Sequence, residues 1–416
     1  MTAVDVYVEI DGADVHAGRL YGHHRRGAES ATFSYQAEYL ARSDAYGFDP
    51  ALPLQLGSIQ TAVAKRLFNA FADAAPDRWG RSLIQRQQRL LARERGSATR
   101  RLTELDYLLG ARDDLRQGAL RFRDLDTGTF LASDEVGVPA VTDLPELLAL
   151  AERIEGDDMV ASDLRRLVRA GSSLGGARPK THVRAPDGRA AIAKFPSSSI
   201  DEWNVMAWEK VALDLAGLSG IAVPRSELID IAGRSVLIVD RFDRTAFGYR
   251  IGYASALTML EASDGDRRSY VDIAEVVEER SSRTSADLVE LWRRVVFSVL
   301  ISNTDDHLRN HAFLHTAGDS WVLSPAFDIN PDPSMGPKEL STSITDYEFS
   351  ARLEPLLEVA ELFRLTRDDA VSVIKAVAAV VSGWREHASS VGLSRLEIDR
   401  MEPAFVHAAS EDVATL

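Results

Sequence analysis

The chain opens on a two-residue alternation. Val4, Val6, Val8 and Ile10 interleave with Asp5, Tyr7 and Glu9, the period of a strand with one buried face. Asp11-Gly12 supplies turn chemistry, and Gly18-Arg19-Leu20-Tyr21 reads as the returning strand, followed by a loop over the polar stretch His23 to Glu29. Thr32 to Tyr39 reads as another strand, bounded by Asp49-Pro50 and Pro53. From Ile59 to about Arg95 the period turns helical, interrupted at Pro76, and Arg116 to Arg123 with Phe130 fits short strands. Two later runs are clearer. Ala190 to Phe195 follows Pro186-Asp187-Gly188, which predicts a hairpin, and Ser235 to Val239 is apolar and β-branched. Between them Glu202 to Leu218 reads as a helix stopped at Gly220, with Pro224 just beyond.

Beyond residue 245 strands become rare. Leu288, Leu291, Trp292, Val295, Val296, Val299 and Leu300 recur at helical spacing and form one apolar stripe. Thr366 with Asp369 resembles a capping box that opens a helix running to about Ala388. Strands early and helices late predict an α+β chain with two lobes. The expected divisions are 1–110, 111–244 and 245–416, the last being the helical lobe.

Composition narrows the chemistry. The 416 residues are enough for two or three domains, and for a core that needs no staple. The absence of cysteine excludes disulfides, thiolate metal sites and cysteine nucleophiles. Acidic residues outnumber basic ones 63 to 48, a net charge of −15, which argues against a free-standing nucleic-acid binder. Met1 to Ile10 has no apolar core of a signal peptide, and Ala370 to Trp384 carries Lys375 and is too short to span a bilayer. A soluble cytoplasmic protein without membrane attachment is expected.

The segment Asn303-Thr304-Asp305-Asp306-His307-Leu308-Arg309-Asn310 follows the strongest helix. Asp305 and Asn310 have the D-x-x-x-x-N spacing of a kinase catalytic loop: a carboxylate to meet an attacking hydroxyl, and an amide oxygen one turn on to help hold Mg²⁺. Asp328, in Ala326-Phe327-Asp328, offers the second hard oxygen ligand, as the aspartate of a D-F-G segment does. Taken alone, Asp305, Asp306 and Asn310 would equally end a helix and solvate a loop. His307 and His311 have the i, i+4 spacing of zinc ligands, but Leu308 stands where H-E-x-x-H needs its glutamate. Upstream, Ala191-Ile192-Ala193-Lys194 resembles the V-A-I-K strand whose lysine contacts phosphates, though a snorkelling edge lysine fits the same pattern. Glu209 and Glu202 are its candidate partners, Glu209 preferred as mid-helix. Gly171-Ser172-Ser173-Leu174-Gly175-Gly176-Ala177-Arg178-Pro179-Lys180 is a glycine-rich segment that can bring backbone N–H groups to phosphate oxygens, with Lys180 adding charge. Its glycine and lysine are not adjacent, so it is no Walker motif. Asp240 and Phe242 stand where a kinase hinge would meet adenine, while Asp243 and Arg244 read as charged linker. The order of glycine-rich loop, strand lysine, helix, hinge, catalytic loop and metal aspartate predicts an ATP- and Mg²⁺-dependent phosphotransferase.

These segments resemble the HipA family of serine/threonine kinases, the toxin half of bacterial type II toxin–antitoxin pairs. Gly18-Arg19-Leu20, Phe33-Ser34-Tyr35, Leu52-Pro53-Leu54 and Ala75-Pro76-Asp77-Arg78-Trp79-Gly80 carry the likeness in the N-terminal part. Ser172 to Lys180 and Asn303 to His311 are the most specific matches. The resemblance implies a two-lobed kinase-like fold behind a small N-terminal domain. Asp305 would be catalytic, with Lys194, Gly175, Gly176, Ala177, Lys180, Asp240, Phe242 and His307 at ATP, and Asn310 and Asp328 at Mg²⁺. Ser173, or its neighbour Ser172, would be the autophosphorylated serine of the loop, whose added charge is incompatible with packing beside ATP phosphates. It further implies a translation protein such as an aminoacyl-tRNA synthetase as substrate, and a HipB-like helix-turn-helix antitoxin through which alone DNA is reached. Asp240 replaces a glutamate common in relatives, which leaves the adenine contacts open. A small-molecule kinase and a non-catalytic corepressor are the alternatives.

Overall fold

The N-terminal alternation forms a strand because one face has a core to meet. In this computed structural model, which describes residues 2–133, 138–155, 161–171, 178–197 and 199–416, β1 (Thr2–Ile10) buries Val4, Val6 and Val8. It joins β2 (Ala13–Arg25), β3 (Ala28–Tyr35), β4 (Ser58–Gln60) and β5 (Leu120–Arg123) in an antiparallel sheet of order β4-β3-β2-β1-β5. Asp11 and Gly12 both adopt left-handed backbone, φ 49° and 81°, the requirement of a tight two-residue hairpin turn. The loop expected over His23 to Glu29 is instead a second hairpin. β2 continues to Arg25, which pairs with Ala28 across a left-handed Arg26-Gly27 turn. The hairpin tip is largely exposed on both faces, so no alternation marks it in the sequence. β3 stops at Tyr35, short of the Tyr39 limit expected, and a short helix, Ala37–Leu40, follows.

β6 (Lys180–Arg184), β7 (Ala190–Lys194), β8 (Ser226–Ile231) and β9 (Arg234–Asp240) form a second antiparallel sheet, order β6-β7-β9-β8. The predicted β6–β7 hairpin turns at Gly188, φ 88°. β8 was not foreseen: it is a half-exposed edge strand whose Ser-Glu-Leu-Ile-Asp-Ile lacks strict alternation. One face of this sheet, with Ala191, Ala193, Val236 and Ile238, shares a core with the helices Arg78–Glu94, Leu144–Glu155 and Ala161–Gly171. The first of these belongs by sequence to the N-terminal part, yet sends Trp79 and Leu83 into that core. The opposite face receives the Val205–Leu218 helix.

The remainder is mainly helical around a three-stranded sheet of β10 (Tyr253–Ser255), β11 (Ala312–Ala317) and β12 (Ser320–Leu323). The expected apolar stripe lies on the Thr284–Leu300 helix, and all seven of its residues are buried. Thr366 Oγ1 accepts the Asp369 backbone N–H at 3.2 Å, opening the helix Arg367–Val381. That helix breaks at Ser382-Gly383 and resumes over Trp384–Ser390, where a continuous run to Ala388 was expected; glycine is a poor interior helix residue. Among the described residues no helix is long and apolar enough to cross a membrane.

Candidate active site

Lys194 ends β7, an interior strand between β6 and β9, on the face that meets the Val205–Leu218 helix. Its Nζ lies 2.6 Å from Glu209 Oε1 and 3.0 Å from Asp328 Oδ1. It is therefore a paired interior lysine rather than a snorkelling edge residue. Glu209 is 2% exposed in mid-helix, whereas Glu202 lies on the surface and pairs with Arg400 at 3.1 Å. Burial opposes the charge on Lys194, but Asp328 and Glu209 outweigh it and hold the ammonium above the usual lysine range. Lys194, working against burial and helped by Lys180, holds Asp328 well below the usual carboxylate range.

Asp328 adopts φ 56°, a left-handed backbone unusual for a residue with a side chain and common at functional sites. Its segment is held on the Asn303–Asn310 loop by the Asn330 N–H, which donates to Asn303 Oδ1 at 3.2 Å. The preceding Phe327 meets Phe242 with ring centroids 5.2 Å apart, joining the segment after β9 to the Asp328 segment.

The Thr284–Leu300 helix ends in a sharp turn, with Ser302 left-handed and the Asn303 N–H bonded to Ser298 O at 2.8 Å. The two aspartates that follow diverge. Asp306 points inward, accepting from Tyr270 Oη at 2.7 Å and Ser298 Oγ at 3.1 Å, with His311 Nε2 3.0 Å away. Asp305 is exposed. Partial burial raises its pKa, His307 opposes this, and Asp328 reinforces it. Asn310 is buried and donates through Nδ2 to Asp305 O at 3.1 Å, while no described residue donates to its side-chain oxygen. The oxygen that a metal would need is thus left open. His307 is exposed and donates its backbone N–H to Asp305 O at 3.0 Å; buried His311 serves Asp306, so the two histidines have different surroundings. Arg309 braces the loop through Asp264 at 3.0 Å and Asp73 at 3.3 Å.

Lys180 begins β6 directly opposite Lys194 in register, and burial together with Lys194 lowers its pKa. Asp240 pairs with Arg189, and its backbone N–H donates to Arg225 O at 2.9 Å. The linker expected at Asp243 and Arg244 is a buried ion cluster: Asp243 accepts from Arg241 at 2.6 Å, Arg244 at 2.9 Å and the Gly118 N–H at 2.8 Å. Its signal was Arg-Phe-Asp-Arg, two opposite charges flanking an apolar residue, which a solvated linker displays equally well. Ser172, Ser173, Gly175, Gly176 and Ala177 lie outside the described residues. Sequence reasoning passed over Asp77, whose Oδ1 is buried without a hydrogen-bond partner and whose pKa burial pushes up to about 6.

Lys194, Glu209 and Asp328 thus converge, with Asp305, His307 and Lys180 within reach of Asp328's field. Among the described residues no three acidic or histidine side chains form a metal cage. A metal here would draw on the Asp328 carboxylate and the open Asn310 oxygen, hard ligands suited to Mg²⁺ with phosphates completing the shell.

Residues 172–384 match the family model of the HipA-like C-terminal domain, and residues 10–105 that of the HipA N-terminal domain. The chain belongs to the HipA family. Among curated proteins, "Putative kinase Y4dM" of Sinorhizobium fredii is 30% identical over 156 residues, 34% of this chain and 37% of that relative. "Putative kinase" of Haemophilus influenzae is 26% identical over 137 residues, 28% of this chain and 39% of that relative. The matched regions thus span well under half the length of these relatives. Among solved structures, HipA of Shewanella oneidensis MR-1, in its complex with HipB and operator DNA, has a TM-score of 0.66 at 16% identity over 99% of both chains. That likeness agrees with the expected two-lobed α+β HipA fold.

Proposed function

We propose that this HipA-family chain is an ATP- and Mg²⁺-dependent serine/threonine protein kinase, the toxin of a toxin–antitoxin pair. The carrying observation is Lys194 held between Glu209 and Asp328 beside the Asp305–Asn310 loop. An ammonium shared with a mid-helix glutamate is pre-oriented for nucleotide phosphates, and Glu209 remains as its anchor when Asp328 turns to other work. Lys194 steadies the α- and β-phosphates, with Lys180 adding charge. Asn310 and Asp328 hold Mg²⁺, which supplies charge neutralisation on the transferred phosphoryl group. Asp305 accepts the proton of a protein hydroxyl as that oxygen bonds to the γ-phosphorus, and the bond from the γ-phosphorus to its β-bridging oxygen breaks to release ADP. Its raised pKa suits a proton acceptor better than an ordinary surface aspartate. Phe242 and the backbone beside Asp240 enclose the adenine, and His307 steadies the loop beside Asp305.

The remaining parts rest on family membership. They are a cytoplasmic setting, a HipB-like antitoxin that carries the DNA contact, a translation protein such as an aminoacyl-tRNA synthetase as acceptor, and autophosphorylation at Ser173 or Ser172. The deciding experiment is intact-mass analysis after incubation with ATP and Mg²⁺, with and without a translation extract, beside Asp305→Asn. A phosphoryl gain on the chain or on a protein of the extract, absent in the variant, is expected. Transfer only to metabolites would favour a small-molecule kinase, and no transfer at all the corepressor.

A further inference from the structure

The N-terminal part of the chain touches the nucleotide-binding sheet at a corner that the kinase residues leave unexplained. Trp79 lies in the first turn of the Arg78–Glu94 helix, and its Nε1 donates to the Lys180 backbone oxygen at 3.0 Å. Indole N–H is a donor only, so this contact fixes where β6 begins relative to that helix. Gly171 closes the same corner: a Cβ there would come within 2.8 Å of the Lys180 oxygen and 3.4 Å of Trp79 Nε1. Glycine is thus the residue that leaves room for the bond. Two positions before Trp79, Asp77 occupies the N-cap, yet its side chain makes no capping bond and buries an oxygen without a partner. An N-cap aspartate ordinarily spends that oxygen on its own helix. Here the charged groups acting on it are Lys180, then Asp328, Arg309 and Arg81.

We propose that the Asp77–Trp79 corner is a positioning element for the nucleotide phosphates. Trp79 holds the Lys180 backbone, the Asp77 charge acts on the Lys180 ammonium through space, and the N-terminal domain thereby sets how firmly phosphate is gripped. This rests on the assignment of Lys180 and Lys194 to ATP.

The test uses the full chain with Trp79→Phe, which keeps the ring and removes the N–H, and Asp77→Asn, which keeps the shape and removes the charge. Titration calorimetry measures ATP and adenosine in each, with melting temperature alongside. Trp79→Phe is expected to weaken ATP about three- to tenfold, the worth of one lost hydrogen bond, and Asp77→Asn to weaken it in the same direction, while adenosine is unaffected in both. In a Lys180→Met background neither variant should weaken ATP further. Equal weakening of ATP and adenosine, or undiminished losses in that background, would overturn the positioning role. Should Trp79→Phe not fold, Asp77→Asn decides alone. If the parent chain binds no ATP, the kinase assignment falls first and this inference with it.

Discussion

Two buried ion clusters, around Asp243 and around Lys194, differ in what they leave unfinished. Just past β9, Asp243 is 4% exposed and takes hydrogen bonds from Arg241, Arg244 and the Gly118 N–H. The guanidinium groups spend further N–H bonds on Leu115 O at 2.7 Å and Arg116 O at 2.8 Å. The cluster is closed, and it rivets the segment after β9 to the stretch 115–118 that leads into β5. Around Lys194 the pairing stops short. Asp305 is exposed, no described residue serves the Asn310 oxygen, one Asp77 oxygen is orphaned, and Asp328 carries a left-handed backbone. Protein folding alone does not call for such a set; a ligand that brings cations and phosphates would complete it.

The contrast breaks most visibly if charge is removed from each cluster in turn. Asp305→Asn should lower phosphoryl transfer by roughly a thousandfold, in the range for losing an acid–base group, and Asp328→Asn, which removes the carboxylate proposed for the metal, should lower it as well. Neither should lower the melting temperature much, since Asp305 is exposed and Lys194 keeps Glu209. Asp243→Ala should do the reverse. It strands two arginines in the interior, at a cost of about 3–5 kcal/mol, read as a shifted denaturant midpoint. Activity per folded molecule should survive. A stable, inactive Asp243 variant would mean that this cluster belongs to the chemistry after all.

pH sharpens the same division. Against burial, Arg241 and Arg244 hold Asp243 well below the usual carboxylate range in the folded chain. The unfolded aspartate, near about 3.9, therefore takes up its proton first as pH falls. The stability this group contributes is complete above that value and is lost as pH drops toward the lower folded pKa. Urea melts at pH 7 and across the acid range should show a smaller acid loss in Asp243→Asn than in the parent chain. A parallel loss in both would assign acid sensitivity to other carboxylates.

How far these clusters could be read in advance follows from their spacing. That Lys194 meets Asp328 and Glu209 was legible because the expected phosphotransferase order sets them in sequence, and a lysine in an apolar strand is out of place unless paired. Val4, Val6 and Val8, and the stripe on Thr284–Leu300, were legible because one-sided burial imposes a period. The hairpin through Arg25 and the edge strand β8 lacked that period because solvent touches much of them. The Asp243 cluster was illegible for another reason: Asp243 meets Gly118, 125 positions away, and nothing local announces the pairing. The bond from Trp79 was hidden likewise, since it joins a helix to the Lys180 backbone of β6, 101 positions away.

The smallest effect tests the choice between two glutamates on one segment. Composition offers Glu202 and Glu209 equally, and mid-helix placement alone favoured the second. Lys194 Nζ lies 2.6 Å from Glu209, whereas Glu202 lies exposed beside Arg400. Glu209→Gln keeps the volume but leaves a buried ammonium with Asp328 alone, so it should cost about 1–3 kcal/mol and weaken ATP use. Glu202→Gln removes only a solvated pair and should change stability by under about 0.5 kcal/mol with activity intact. The informative result is the difference between them. Equal effects would mean that Lys194 does not depend on its helix partner, and the strand–helix anchor would have to be withdrawn from the mechanism while Asp305 and Asp328 stood.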